Sequence, residues 1–140
     1  MRLLYISIFI ILSMLASTTY AADQQLQYTV LLTVINNTGT KGGFGVCKNA
    51  ISPETETLCS IPGKLNKGTN RIFTPPYKNP VPVFTTIPEE KAYTCGTAAN
   101  PEQQLSFSTT NKKSTTITIS SFIKDKDNKN VAVSCAITQK

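Results

Sequence analysis

The fold is decided by residues 115–138, which read TTITISSFI, then KDKDNK, then NVAVSCAIT. The first run is rich in β-branched residues and alternates apolar with polar side chains, as a half-buried strand does. The polar middle run is a turn, after which the third run returns with an apolar face of Val131, Val133, Cys135 and Ile137. The stretch therefore predicts an antiparallel hairpin that points Cys135 into a core.

A second alternating run lies nearer the N-terminus, at residues 26–35, and ends at a turn signal at 36–39. Shorter runs with strand character lie at 44–48, 57–61, 70–74, 83–86, 91–95 and 105–109. Eight or nine short strands without helices predict an all-β fold, a small antiparallel β-sandwich or a barrel. The predicted core is Leu26, Tyr28, Val30, Leu32, Val34, Ile117, Ile119, Val131, Val133 and Ile137.

Prolines are frequent between residues 49 and 82. Because proline cannot donate a hydrogen bond to a sheet, this stretch is predicted to be mostly loop, with short or edge strands.

The N-terminus predicts export. Arg2 precedes an apolar run, and small residues at Thr19 and Ala21 suit a signal-peptidase cut after Ala21. We therefore expect a signal peptide at 1–21 and a single β-rich domain at 22–140, without a transmembrane segment in the mature form. Removal of Arg2 lowers the formal net charge from +6 to +5.

Four cysteines, Cys47, Cys59, Cys95 and Cys135, lie in the predicted mature chain. An exported chain meets an oxidising compartment, so two disulfides are expected, with three possible pairings. Tyr93-Thr94-Cys95 resembles the Tyr-x-Cys of immunoglobulin strand F, although the core tryptophan is missing. That resemblance implies an immunoglobulin-like sandwich with Cys47–Cys95 and Cys59–Cys135. Our own prediction is Cys47–Cys59, around Pro53, with Cys95–Cys135.

The residue types present argue against catalysis. The chain has no histidine, which excludes serine–histidine and cysteine–histidine nucleophiles and histidine-dependent metal hydrolysis. The remaining carboxylate pairs, Glu54 with Glu56 and Glu89 with Glu90, fall in predicted loops. We predict a non-enzymatic protein without a metal or cofactor.

Positive charge is concentrated between residues 41 and 78, which carry +4 of the predicted mature +5. The basic residues are Lys41, Lys48, Lys64, Lys67, Arg71 and Lys78. If they meet in space, they form a site for an anionic polysaccharide or lipid surface; otherwise they are ordinary solvated loop charges. We do not expect nucleic acid as a partner.

Together these observations predict an exported, non-enzymatic binding protein of the cell envelope, periplasm or extracellular space. One alternative is a fimbrial-type subunit that donates residues 23–35 to a neighbour's sheet edge. Another is an inhibitor of a secreted hydrolase that presents the proline-stiffened loop 74–82.

Overall fold

A computed structural model describes residues 28–52, 54 and 57–140, and the predicted leader lies outside this part of the chain. The described residues form eight strands and no helix, which confirms the all-β prediction. The strands are β1 (Val30–Asn36), β2 (Gly42–Cys47), β3 (Gly63–Leu65), β4 (Gly68–Thr74), β5 (Val81–Thr86), β6 (Ala92–Gly96), β7 (Thr115–Lys124) and β8 (Asn130–Gln139). Within these residues there is no helix with the length and apolar character needed to cross a bilayer.

The strands form one sheet in the order β3-β2-β5-β6-β8-β7-β1-β4, rolled into a nearly closed barrel. Two of the seven neighbouring pairs, β1 with β7 and β6 with β8, run parallel, so the sheet is mixed rather than purely antiparallel. The two end strands meet where Ile72 of β4 packs over Gly63 of β3. Of the two predicted architectures, the barrel is the one that forms.

The core lies inside the barrel. Leu32, Val34, Ile117, Ile119 and Val133 are fully buried, as predicted. Val30 and Ile137 pack against the core, Tyr28 is half-buried, and Leu26 lies outside the described residues.

The prediction for Val131 is wrong, because its side chain is 45% exposed. The register between β7 and β8 shifts at this point. Ala132 pairs with Ile123 and Asn130 pairs with Lys124, so Val131 is an extra residue without a partner on β7. Such a bulge interrupts the alternation, and Ala132 is buried in place of Val131.

One proline lies within an interior strand of the sheet, where the sequence analysis predicted loops and edge strands. Pro82 lies inside β5, opposite Val46 of β2. The Val46 N–H donates to the Ser60 hydroxyl at 2.9 Å and the Val46 carbonyl accepts from the Ser60 N–H at 2.8 Å. Since both backbone groups of Val46 face away from Pro82, no donor is needed from the proline.

Two further strand predictions fail. Residues 105–109 form no strand, although the Leu105 N–H donates to the Cys95 carbonyl and the Phe107 N–H to the Pro80 carbonyl. Residues 57–61 contribute a single bridge, between Cys59 and Cys47, before the unpredicted strand β3 begins.

Two buried asparagines fasten the closing corner, which we define as the junction of β1, β3 and β4 at residues 36, 66 and 70. The Asn36 amide donates to the carbonyls of Thr40 (2.8 Å) and Asn66 (3.2 Å). The Asn70 amide donates to Asn66 (2.9 Å) and accepts from its N–H (2.9 Å). These bonds satisfy backbone groups in the tight link that joins the two ends of the sheet.

The disulfides are Cys47–Cys59 and Cys95–Cys135, which confirms our pairing and excludes the one implied by the immunoglobulin resemblance. Cys95 and Cys135 are both buried, as expected from the inward face of β8. Cys47 is buried as well, but Cys59 is exposed.

Candidate functional site

The six basic residues do not form one patch. Lys41 directly precedes β2, Lys64 lies in β3 and Lys67 follows it, and since Gly42 pairs with Leu65 these three meet near the closing corner. Lys48 and Lys78 lie at the opposite end of the barrel, and Arg71 lies on the outside of β4. The structure therefore brings together three of the six predicted residues.

The carboxylates are dispersed too. Glu89 and Glu90 lie exposed in the turn between β5 and β6, Glu54 is exposed elsewhere, and Glu56 lies outside the described residues. Among the described residues, no cluster of three or more histidine, cysteine or acidic side chains is placed to hold a metal ion.

A concave surface runs along the outside of β2, and we call it the β2 trough. Phe44 and Val46 face the core, so the alternate residues Gly43 and Gly45 face outward. On either side of Gly43 lie Lys64 of β3 and Thr85 of β5. The trough thus has a floor without side chains between two higher walls.

The trough has a wide and a narrow part. The wide part measures about 630 Å³, is mostly apolar, and is lined by Gly42, Gly43, Pro62, Lys64, Thr85, Thr86, Ile87 and Glu90. The narrow part, about 220 Å³, continues past Gly45 to Ile51, Cys59 and Ala92. Pro62 and Thr85 line both parts, so the two are continuous.

Close packing explains the glycines. A β-carbon at Gly43 would lie 2.9 Å from the Pro62 β-carbon, and one at Gly45 would lie 2.9 Å from the Ser60 hydroxyl. Glycine is therefore required to let residues 60–62 approach β2 and build the wall of the trough.

The narrow end is fixed by two long-range links. The Cys47–Cys59 disulfide joins floor to wall. The side-chain amide of Gln104 donates to the Ile51 carbonyl at 2.8 Å and accepts from the Ile51 N–H at 2.7 Å. The disulfide closes the segment that follows β2 back onto the end of that strand, and the Gln104 bonds tie the same segment to the loop that follows β6.

Two exposed apolar side chains line the trough. Ile87 (60% exposed) lines its wide part and Ile51 (37%) its narrow part. Leu58 (62%) and Ile61 (80%) are also exposed and adjoin the wall residues Cys59, Ser60 and Pro62 in sequence. Single exposed apolar residues are ordinary, but exposed apolar side chains that line a groove are typical of an interaction site.

The outer face of β1, β7 and β8 is different. Thr33, Thr116 and Thr138 form one cross-strand row, and Ile35, Thr118 and Ala136 form the next. We call this surface the threonine face.

The predicted inhibitory loop is held against the barrel. Pro75 and Pro80 are buried, and the Thr109 hydroxyl donates to the Tyr77 carbonyl. Burial raises the pKa of the Tyr77 hydroxyl above its ordinary value, and neighbouring Tyr28 adds to this effect. Only the centre of the loop, near Lys78, is exposed.

Comparison of the chain with known protein families, curated proteins and solved structures gave no match. The sequence analysis did not predict the trough, because it began this strand at residue 44 and drew no conclusion from its glycines. The signal available was the alternation of Phe44 and Val46 with Gly43 and Gly45, which describes a strand with one bare face.

Proposed function

We propose that this chain is an exported, non-enzymatic binding domain that recognises a protein partner through the β2 trough and its apolar rim. The observation that carries the proposal is that two exposed apolar side chains, Ile51 and Ile87, line one concave and mostly apolar surface. Two disulfides support export, because such bonds persist in oxidising compartments.

A protein partner suits this surface better than a uniformly anionic one. Glu90 lines the trough together with Lys64, so a polyanion would meet repulsion as well as attraction there. Apolar rim residues contribute most when a partner's side chains exclude water from them.

The other two functions are less well supported. Val30–Asn36 pairs with β4 on one edge and with β7 on the other, so a strand donated to a neighbour would have to come from residues before Val30. An inhibitory loop at 74–82 would present few residues, since its two ends are buried.

The proposal is tested by photo-cross-linking. A benzophenone amino acid replaces Ile87 at the trough in one variant and Thr118 on the threonine face in the control, and each is exposed to the exported fraction of the source cells. We expect one protein to be captured at Ile87 and not at Thr118, and to bind the purified wild-type chain. Equal capture from both positions, or failure of the purified pair to bind, would contradict the proposal.

A second function, attachment to an anionic polysaccharide or lipid, is favoured by the convergence of Lys41, Lys64 and Lys67 at the closing corner. This surface shares Lys64 with the trough, so an anion bound there would lie beside the protein-binding surface.

A further inference from the structure

The closing corner contains the sequence motif for N-linked glycosylation. Asn36-Asn37-Thr38 has the pattern Asn-x-Thr, in which the asparagine accepts an oligosaccharide. In an exported chain this motif normally indicates an exposed loop. Here the acceptor is instead the last residue of β1, where it pairs with Gly68 of β4 on one side and with Ile119 of β7 on the other. The Asn36 side chain is only 1% exposed.

The side-chain amide of Asn36 is fully engaged in hydrogen bonds. Its nitrogen carries two hydrogens and donates to the carbonyls of Thr40 at 2.8 Å and Asn66 at 3.2 Å. Its oxygen accepts from the Thr38 hydroxyl at 2.7 Å and from the Thr38 N–H at 3.2 Å. The Asn37 N–H donates to a carbonyl of β7 at 2.8 Å, which fixes the backbone of the motif as well. The folded chain therefore offers no free amide nitrogen to a glycosyl transferase.

Attachment of a glycan is incompatible with this arrangement. In the transfer reaction the Asn36 nitrogen forms a bond to the anomeric carbon of a lipid-diphosphate-linked oligosaccharide, the bond from that carbon to the diphosphate breaks, and one amide proton is lost. The modified nitrogen keeps a single hydrogen, so one of its two bonds in the closing corner is lost. A sugar on this nitrogen would also need space where the side chain is fully buried among β1, β4 and β7.

We propose that Asn36 is an N-glycosylation site in the unfolded chain only, and that a glycan there prevents closure of the barrel. The folded protein then carries no glycan at Asn36, and glycan transfer competes with folding for the newly exported chain. This favours an export route that transfers no N-linked glycans, since each transfer would remove a chain from the folded population. The inference concerns how the chain is made and does not depend on what the β2 trough binds.

The proposal is tested by secreting the mature chain, residues 22–140, from cultured animal cells, which transfer such glycans during export. Lys113→Thr supplies an internal control, because it creates a second acceptor motif at Asn111 in an exposed loop. Protease-resistant protein is separated from aggregated or protease-sensitive chain, and peptide mapping measures glycan occupancy at both asparagines. We expect the protease-resistant fraction to carry glycan at Asn111 and none at Asn36, and chains with a glycan at Asn36 to be confined to the misfolded fraction.

A dithiol added to the cells makes the test sharper. It keeps the two disulfides from forming during export and therefore delays folding. We expect occupancy at Asn36 to rise and occupancy at Asn111 to stay the same, because only the first site is closed by folding.

Three results would overturn the proposal. The first is protease-resistant protein with a glycan at Asn36. The second is glycan at Asn111 with none at Asn36 in any fraction, because the unfolded chain would then not be an acceptor at that residue. The third is an equal change at both asparagines when the dithiol is added, because folding would then not control access to Asn36.

Discussion

The barrel has two contrasting outer faces. On the threonine face, mostly polar side chains stand in regular rows across β1, β7 and β8, with a polar depression of about 310 Å³ at its end, lined by Ser114, Thr116, Thr138 and Lys140. On the β2 side, glycine, proline and a disulfide replace such rows, and the surface is concave and apolar. Both faces are built on alternating strands, and they differ in the outward residues: threonines project from β7 and β8, whereas glycines leave the outside of β2 without side chains and open to an apolar groove.

The largest expected effect is the loss of stability when either disulfide is removed. Replacing Cys95 and Cys135 by Ala should lower the free energy of unfolding by about 4 kcal/mol, and replacing Cys47 and Cys59 by about 3 kcal/mol, because the entropy lost on closing a loop grows with its length. Urea denaturation of the oxidised proteins measures both. A larger loss for the Cys47–Cys59 pair would contradict this order.

The two disulfides should also differ in how readily they are reduced. Cys95–Cys135 is buried between β6 and β8, whereas Cys47–Cys59 closes the trough and has one exposed cysteine. In a mild dithiol reductant we expect Cys47–Cys59 to open first, because thiolate attack depends on access. Mass spectrometry after alkylation would show the opposite labelling if the burial of the two pairs were reversed.

The sequence predicts the β7–β8 hairpin well, because its alternation is local, but it does not predict the parallel pairing of β1 with β7 that completes the threonine face. It fails at Val131, where a bulge in pairing with β7 decides exposure, and at Pro82, where Ser60 takes over the hydrogen bonds of Val46. It also fails at the trough, whose walls come from β3 and the β5–β6 turn and are brought beside β2 only by folding. Local pattern therefore predicted strands, and long-range packing determined the candidate site.

A pair of valine substitutions gives a smaller, more local effect. Gly43→Val places a side chain within 2.9 Å of Pro62 and should destabilise the fold by about 1–3 kcal/mol, as overpacking does. Thr116→Val on the threonine face has open surroundings and should change stability by less than about 0.5 kcal/mol. Thermal denaturation compares them. Equal effects would show that Pro62 does not crowd the trough floor.

The smallest expected effect concerns the basic residues. Changing Lys41, Lys64 and Lys67 together to Gln should lower the salt concentration at which heparin releases the protein, because these three converge at the closing corner. Changing Lys48 and Lys78 to Gln, at the opposite end, should have a weaker effect. An equal reduction per lysine removed would indicate non-specific attraction to net charge and argue against a corner site.

The contrast between the two faces is tested most directly by the affinity of the partner captured at Ile87. Calorimetry compares wild type with a trough variant, Ile51→Ser with Ile87→Ser, and a threonine-face variant, Thr116→Ser with Thr118→Ser. All four side chains are at least partly exposed, so both variants should fold. We expect the trough variant to bind about tenfold more weakly, corresponding to about 1.4 kcal/mol, and the threonine-face variant to bind like wild type. Unchanged affinity in the trough variant, or an equal loss in both, would contradict the assignment of the β2 trough as the binding face.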